Sequence, residues 1–278
     1  MDKILILGAK GMLGGQLKRT FSKALGWDRQ DIDITQNDDL RQKIKDLTVK
    51  PSVIINCVAY NNVDEAEQKK DLAFKLNFEV VGNLAEICRD LDITLVHFST
   101  NYIFDGEKGE YQEDDIPHPL SVYGESKFKG EQALQKTWHK FYLIRTAVLF
   151  GPPGESDLSK KSFVEVMLNL SKENNVIKAV DNEINSLTYA VDLAEAVKKL
   201  ILEKQPFGIY HITNSGQASW YDYAKEIFKI LKKNVKLKPV LASALPRKAL
   251  RPAKALLLNT KLPPLRLWRE ALKEFLIS

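Results

Sequence analysis

Short, almost wholly apolar runs alternate with stretches of helical spacing from Lys3 to about residue 210, and few folds accept such a pattern. Lys3–Leu7 reads as a strand, Gly11–Ala24 as a helix and Ser52–Val58 as a strand. Asp71–Asp90 places Leu72, Leu76, Val80, Leu84 and Ile87 on one helix face. Ile93–Ser99, Phe141–Leu149 and Gly208–Thr213 read as further strands, with helices over Val122–Trp138 and Asp192–Leu202. A strand that is apolar at every position has no solvent face, so it belongs in a parallel sheet covered by helices on both sides. The expected fold class is α/β, a doubly wound, Rossmann-like parallel sheet. Between Gly26 and Thr35 the second strand is poorly marked, because that segment is polar.

In such a sheet the first strand-to-helix turn is where a dinucleotide's pyrophosphate meets helix N–H groups. Here that turn is Gly8-Ala-Lys-Gly11-Met-Leu-Gly14, directly after Ile4-Leu-Ile-Leu7. Its spacing departs from G-x-G-x-x-G, so by itself it fits a ligand-free turn as well; the strand before it and the helix after it favour a nucleotide. Roughly 20 residues past Gly8, where the ribose contact is expected, stand Asp28 and Arg29. An acid suits the ribose hydroxyls of NAD and an arginine suits the extra phosphate of NADP, so NADPH and NADH both stay open. Downstream, Tyr123 and Lys127 share a helix face. A packed tyrosine beside a solvated lysine is the plain alternative. However, the strand before them ends in Ser99 and Thr100 at the sheet's carboxyl edge, where ligands bind. An ammonium beside a phenol is expected to lower the phenol's pKa from its usual value of about 10. The three groups then divide the work: Tyr123 donates a proton, Lys127 activates it and touches ribose, and Thr100 positions the substrate oxygen.

After Gly151 the character changes. Gly151-Pro-Pro-Gly154 breaks the chain, Phe163–Leu170 is an amphipathic helix, and Ser219 is the expected N-cap of another. Residues 1–150, completed by about 178–212, form the expected dinucleotide-binding domain; 151–177 and 213–278 form a small C-terminal substrate-binding lobe. Residues 231–278 hold twelve Lys and Arg against two Asp and Glu, in a chain whose net charge is only +5. Prolines 239, 246, 252, 263 and 264 interrupt this basic stretch, which argues against nucleic acid or a membrane surface and for an anionic small molecule. No apolar run approaches the roughly 20 residues of a membrane span, and the start carries no signal-peptide pattern. Cys57 and Cys88 lie far apart and read as buried thiols in a reducing compartment, the cytoplasm. His97, His118, His139 and His211 lack ligand spacing, so no metal site is expected.

These residues carry a resemblance. The chain resembles the extended short-chain dehydrogenase/reductases, and within them the dTDP-4-dehydrorhamnose reductases, nearly end to end. The shared stretches are the glycine turn, Asn56-Cys-Val-Ala-Tyr-Asn-Asn-Val63-Asp64-Glu-Ala-Glu67, Ser99-Thr-Asn-Tyr-Ile-Phe-Asp-Gly106, Pro119-Leu-Ser-Val-Tyr123-Gly-Glu-Ser-Lys127, Gly208-Ile-Tyr-His211, Ser219-Trp-Tyr221 and Arg251-Pro252. The resemblance implies NAD(P)H-dependent reduction of a 4-keto group on a nucleotide-linked deoxysugar, by a monomer or homodimer. It implies Thr100, Tyr123 and Lys127 as catalytic residues. Gly8, Gly11, Met12, Leu13, Gly14, Asp28, Arg29, Cys57, Val58, Ala59 and Ser99 are implied around the cofactor, with Tyr123 and Lys127. Asn61, Val63, Thr100, Tyr102, Tyr123, Val148 and Arg251 are implied around the substrate. Arg251 is the candidate for the sugar's pyrophosphate.

Several positions depart from the family pattern. Asn101 stands where Asp is usual, and Ala147-Val148 where Ser-Trp is usual. Asn185-Ser-Leu-Thr188 replaces Gly-x-Pro-Thr, Ala255 replaces a serine, and Gln16 replaces a glutamate tied to metal-bridged dimers in some members. Chemistry positions are kept while substrate positions drift. A cofactor-binding regulatory subunit, like that of methionine adenosyltransferase, and a nucleotide-sugar epimerase or dehydratase are the alternatives.

Overall fold

The computed structural model describes residues 3–156 and 161–278. The central elements follow in chain order: β1 (Ile4–Leu7), α1 (Met12–Thr20), β2 (Leu25–Trp27), α2 (Asn37–Lys45), β3 (Val53–Asn56), α3 (Val80–Asp90), β4 (Thr94–Thr100), α4 (Val122–Thr137) and β5 (Phe141–Thr146). After β5 come α5 (Phe163–Glu173), α6 (Ala190–Leu202), β6 (Gly208–His211), α7 (Trp220–Ile230) and α8 (Trp268–Ile277). The six strands form one parallel sheet in the order β2-β1-β3-β4-β5-β6. The winding direction reverses at β1, so the crevice between the carboxyl ends of β1 and β3 is the switch point where such sheets take ligands.

The period-2 alternation of each strand sorts its side chains between two cores. Leu5, Leu7, Ile54, Leu95 and Leu143 pack under α2, α3 and α4. Ile4, Ile6, Val53, Ile55, Val96, Phe98, Tyr142 and Ile144 pack under α1 and α6. A third core joins Phe150, Val164, Met167, Tyr223, Ile227, Phe228, Trp268 and Leu272, drawing α5, α7 and α8 together.

The differences from the sequence reading are local. α1 ends at Thr20 because Phe21 leaves helical geometry (φ −109°, ψ 71°). The run read as one helix contains a π-helical turn over Lys75–Glu79. The expected Phe141–Leu149 strand stops at Thr146, since Val148 turns to φ +36°, and Leu149–Phe150 then pairs with Thr188–Tyr189. Ser219 does cap α7, its Oγ accepting from the Asp222 N–H at 3.0 Å. Within the proline-broken tail, Lys236–Val240 pairs in parallel with Val176–Val180, and Ala255–Leu257 with Gly109–Tyr111.

Candidate active site

The glycine turn opens α1 at the switch point. Gly8 turns the chain at φ +77°, and its N–H donates to Trp27 O (2.8 Å). Among the described residues no side chain caps α1 and its first turn holds no acid, which leaves the leading N–H groups of Met12, Leu13 and Gly14 suited to an anion. A Cβ on Gly14 would stand 2.0 Å from Gly8 O, so only glycine lets the helix sit this close to the turn. Gly14→Ala is expected to weaken cofactor binding at least about tenfold and to destabilise the fold by about 1–3 kcal/mol through overpacking, read by cofactor titration and urea unfolding. The loop after Gly151 forms an outer wall here: Ser156 N–H donates to Lys10 O (3.1 Å), and a Cβ on Gly154 would come within 2.7 Å of Met12 N. Asp28 is tied into this turn, its carboxylate accepting from the backbone N–H groups of Lys10 (2.9 Å) and Arg29 (2.7 Å), while the Arg29 side chain is exposed. Cys57, Val58 and Ala59 follow β3 across the crevice, with Val58 Cγ2 lying 3.1 Å from where a Gly8 Cβ would be. These residues fit a dinucleotide.

The second half of the site stands at the carboxyl ends of β4 and β5. Thr100 lies beside the buried Tyr123, and its Oγ1 accepts from the Tyr102 N–H at 3.2 Å. The neighbouring Ser99 Oγ is buried without a hydrogen-bond partner among the described residues. Lys127 is almost fully buried one helical turn from Tyr123; its Nζ donates to Phe98 O (2.6 Å) and lies 3.4 Å from His97 Nε2. The expected lowering of the phenol's pKa does not appear. Burial pushes Tyr123 up to about 12, with Thr100 pulling the other way, because removing a phenolate from water outweighs what its neighbours return. Burial also lowers Lys127 to about 8, opposed by the Glu131 carboxylate one turn on.

Two residues that the sequence reading passed over sit behind this lysine. Asn56 Nδ2 lies 3.2 Å from His97 Nδ1, completing a row from β3 through β4 to α4. His211, also read as bland, joins a separate buried network around Arg145, Glu131 and Glu113. Strand alternation could have found His97, since it falls two residues after inward-facing Leu95.

Val63, Tyr123 and Ala249 share one apolar cluster with Tyr102, whose ring meets the Tyr123 ring edge-on at 6.1 Å. Asn61 is exposed just ahead of this cluster. Arg251 is held bidentately by Asp64 (2.6 and 3.1 Å), and this pairing pulls the Asp64 carboxyl down to about 2. Its charge is therefore largely balanced, a point the sequence reading did not anticipate. Val148 stands just past β5, with its carbonyl accepting from Thr188 N–H (3.1 Å). Phe104 packs beneath the site, stacked on Tyr111. Among the described residues no group of three or more His, Cys, Asp or Glu could hold a metal ion, and no helix is long and apolar enough to cross a membrane.

The family described as the RmlD substrate binding domain matches residues 1–278. The chain belongs to the dTDP-4-dehydrorhamnose reductase family. It is 37% identical over 279 residues to dTDP-4-dehydrorhamnose reductase of Aggregatibacter actinomycetemcomitans, spanning 94% of this chain and 92% of that protein. It is 36% identical to a probable dTDP-4,6-dihydroxy-2-methyloxan-3-one 4-ketoreductase of Streptomyces antibioticus, spanning 97% and 93% of the two chains. The crystal structure of dTDP-4-dehydrorhamnose reductase from Bacillus anthracis in complex with NADP superposes with a TM-score of 0.92 at 32% identity, covering 99% of both chains. This dTDP-4-dehydrorhamnose reductase family fold is the doubly wound sheet expected from the alternation of elements.

Proposed function

We propose that the protein reduces the 4-keto group of a dTDP-linked 6-deoxysugar, dTDP-4-dehydrorhamnose to dTDP-rhamnose, with NADPH or NADH. The observation that carries this reading is the buried trio at the sheet's carboxyl edge: Thr100 beside Tyr123, with Lys127 one helical turn away. When bound, the reduced nicotinamide supplies the hydride. Met12, Leu13 and Gly14 offer N–H groups to its pyrophosphate, and Ser99, with Cys57, Val58 and Ala59, lines the remainder of its bed. Thr100 orients the sugar's carbonyl oxygen, and Tyr123 gives that oxygen its proton as the carbonyl carbon becomes an alcohol carbon. With a pKa of about 12, Tyr123 keeps its proton at working pH, as a proton donor must. Tyr102, Val63 and Val148 pack beside the sugar, and Arg251 meets its phosphates with the donors that Asp64 leaves spare. In this reading residues 1–150 and 178–212 hold the cofactor, while 151–177 and 213–278 grip the substrate. The setting is cytoplasmic, with Cys57 and Cys88 as free thiols.

The test is a cofactor-oxidation assay with dTDP-4-keto-6-deoxysugar and each reduced cofactor. Sugar-dependent oxidation supports the reading; binding of NADP without turnover of any dTDP-keto sugar overturns it. The same assay fixes a pH dependence. The Lys127 ammonium is lost as pH rises through about 8, whereas Tyr123 stays protonated until about 12. The rate should therefore fall on the alkaline side near 8. Folding follows with the opposite slope. Between about 8 and the ordinary lysine value of 10.5, the unfolded chain binds the proton that folded Lys127 has released, so this group's contribution to stability rises with pH across that window.

A further inference from the structure

β3 and β4 are in register with Asn56 opposite His97. Each stands two residues beyond a core residue of the α4-covered face, Ile54 and Leu95, so both point toward α4. The Asn56 amide has its orientation fixed, because Oδ1 accepts from the Val58 N–H at 3.0 Å. Its NH2 must then face His97 Nδ1, at 3.2 Å. An amide NH2 can only donate, so Nδ1 has to be the ring nitrogen with a lone pair, and in a neutral imidazole the hydrogen sits on Nε2. Burial, and secondarily the Lys127 charge, hold the ring neutral.

That places the Nε2–H 3.4 Å from Lys127 Nζ, which also donates to Phe98 O at 2.6 Å. A neutral amine satisfies both neighbours, donating to the carbonyl and accepting from the ring. An ammonium has donors only, so it satisfies Phe98 O and confronts an N–H. We infer that Asn56, by fixing the His97 tautomer, biases Lys127 toward its neutral amine, making Asn56 and His97 positioning residues for proton exchange at Lys127. The bias leaves an ammonium that gives up its proton readily beside Tyr123, and the inference rests on the reading that Lys127 serves that phenol.

The other charges around Lys127 do not supply this bias. On its own helix Glu131 favours the ammonium, and Arg145 from β5 pairs with Glu131 at 2.8 Å. Tyr123, on the same helix, stays protonated at working pH. The helical segment packed on α4 from the other side turns its Lys75–Glu79 pair to solvent. Burial lowers Lys127 in the same direction, so the experiment has to isolate the ring.

The ring can be observed directly. In protein labelled with 15N-histidine, the His97 ring should show a protonated Nε2 and a lone-pair Nδ1 at neutral pH. His211 provides the contrast, since its Nδ1 lies between Tyr111 O (3.1 Å) and Leu258 O (3.0 Å) and so carries the hydrogen. Asn56→Asp offers a carboxylate to Nδ1–H, reverses the tautomer and turns the Nε2 lone pair toward Lys127. The Lys127 titration, followed through 13C-labelled lysine, should then rise by about one pH unit, a tenfold gain in proton affinity. On a His97→Phe background the same substitution should move it clearly less. A hydrogen on Nδ1 in the unsubstituted protein, an unmoved titration in Asn56→Asp, or a full shift without the imidazole would overturn the inference. None of these readouts uses turnover, whereas full activity in Lys127→Met would instead sink the catalytic assignment of the lysine.

Discussion

Replacing Tyr123 with Phe is expected to lower turnover by about 10²–10⁴-fold, the range for losing a positioned general acid, while cofactor affinity changes little. The reason is local. The ring packs with Val63 and Val122 and lies edge-on to Tyr102, and none of those contacts needs the hydroxyl. The phenol stands beside Thr100 at the end of β4. Phe therefore keeps the packing and removes the proton. Steady-state rates with dTDP-4-keto sugar, alongside titration of NADPH fluorescence, check both halves. An unchanged rate would remove Tyr123 from the chemistry, and a lost cofactor signal would mean that its hydroxyl holds the cofactor instead.

The second large effect lies one turn beyond Lys127. Glu131 and Arg145 form a buried ion pair, with Nη2–Oε2 at 2.8 Å and both Nε contacts at 3.2 Å; their side chains are 0% and 3% exposed. Arg145 also donates to Glu113 O (3.1 Å) and lies over the Phe104 ring, so its charge cannot turn to water when its partner goes. Glu131→Gln is expected to cost about 3–5 kcal/mol, because it strands a desolvated guanidinium. The measurement is the urea midpoint at unchanged slope. Glu131→Leu combined with Arg145→Met should recover most of that loss, since neither charge is then left buried alone. Because Glu131 supports the Lys127 ammonium, the Gln variant should also move the alkaline fall in rate to lower pH. A variant as stable as the parent would show that water reaches Arg145.

These two residues mark how far the amino-acid order could be read. The placement of Tyr123 and Lys127 on one helix and of Thr100 at a strand end was legible from their spacing. The strands were legible because Ile4-Leu-Ile-Leu7 and Val53-Ile-Ile55 have no polar face to give to solvent. The closing of β5 was not, since a Val at φ +36° contradicts its own backbone preference and is held by Thr188, forty residues on. The tail strand Lys236–Val240 was also hidden. It is mostly exposed and contains a proline, and it forms only because Val176–Val180 offers a parallel edge.

Local order thus set which segments are strands or helices, where the glycine turn falls and which hydroxyls and amines come to one helix or strand end. These depend on periodicity and on side-chain chemistry within a few residues. The folded chain settled the charge states and pairings: Tyr123 pushed up to about 12 rather than down, Arg251 answered by Asp64 187 residues away, and His97 set between Asn56 and Lys127. Desolvation and a hydrogen bond to a distant strand are properties of the surroundings in space. No spacing along one chain encodes which element will lie over a given side chain, and that covering element fixes whether a proton stays.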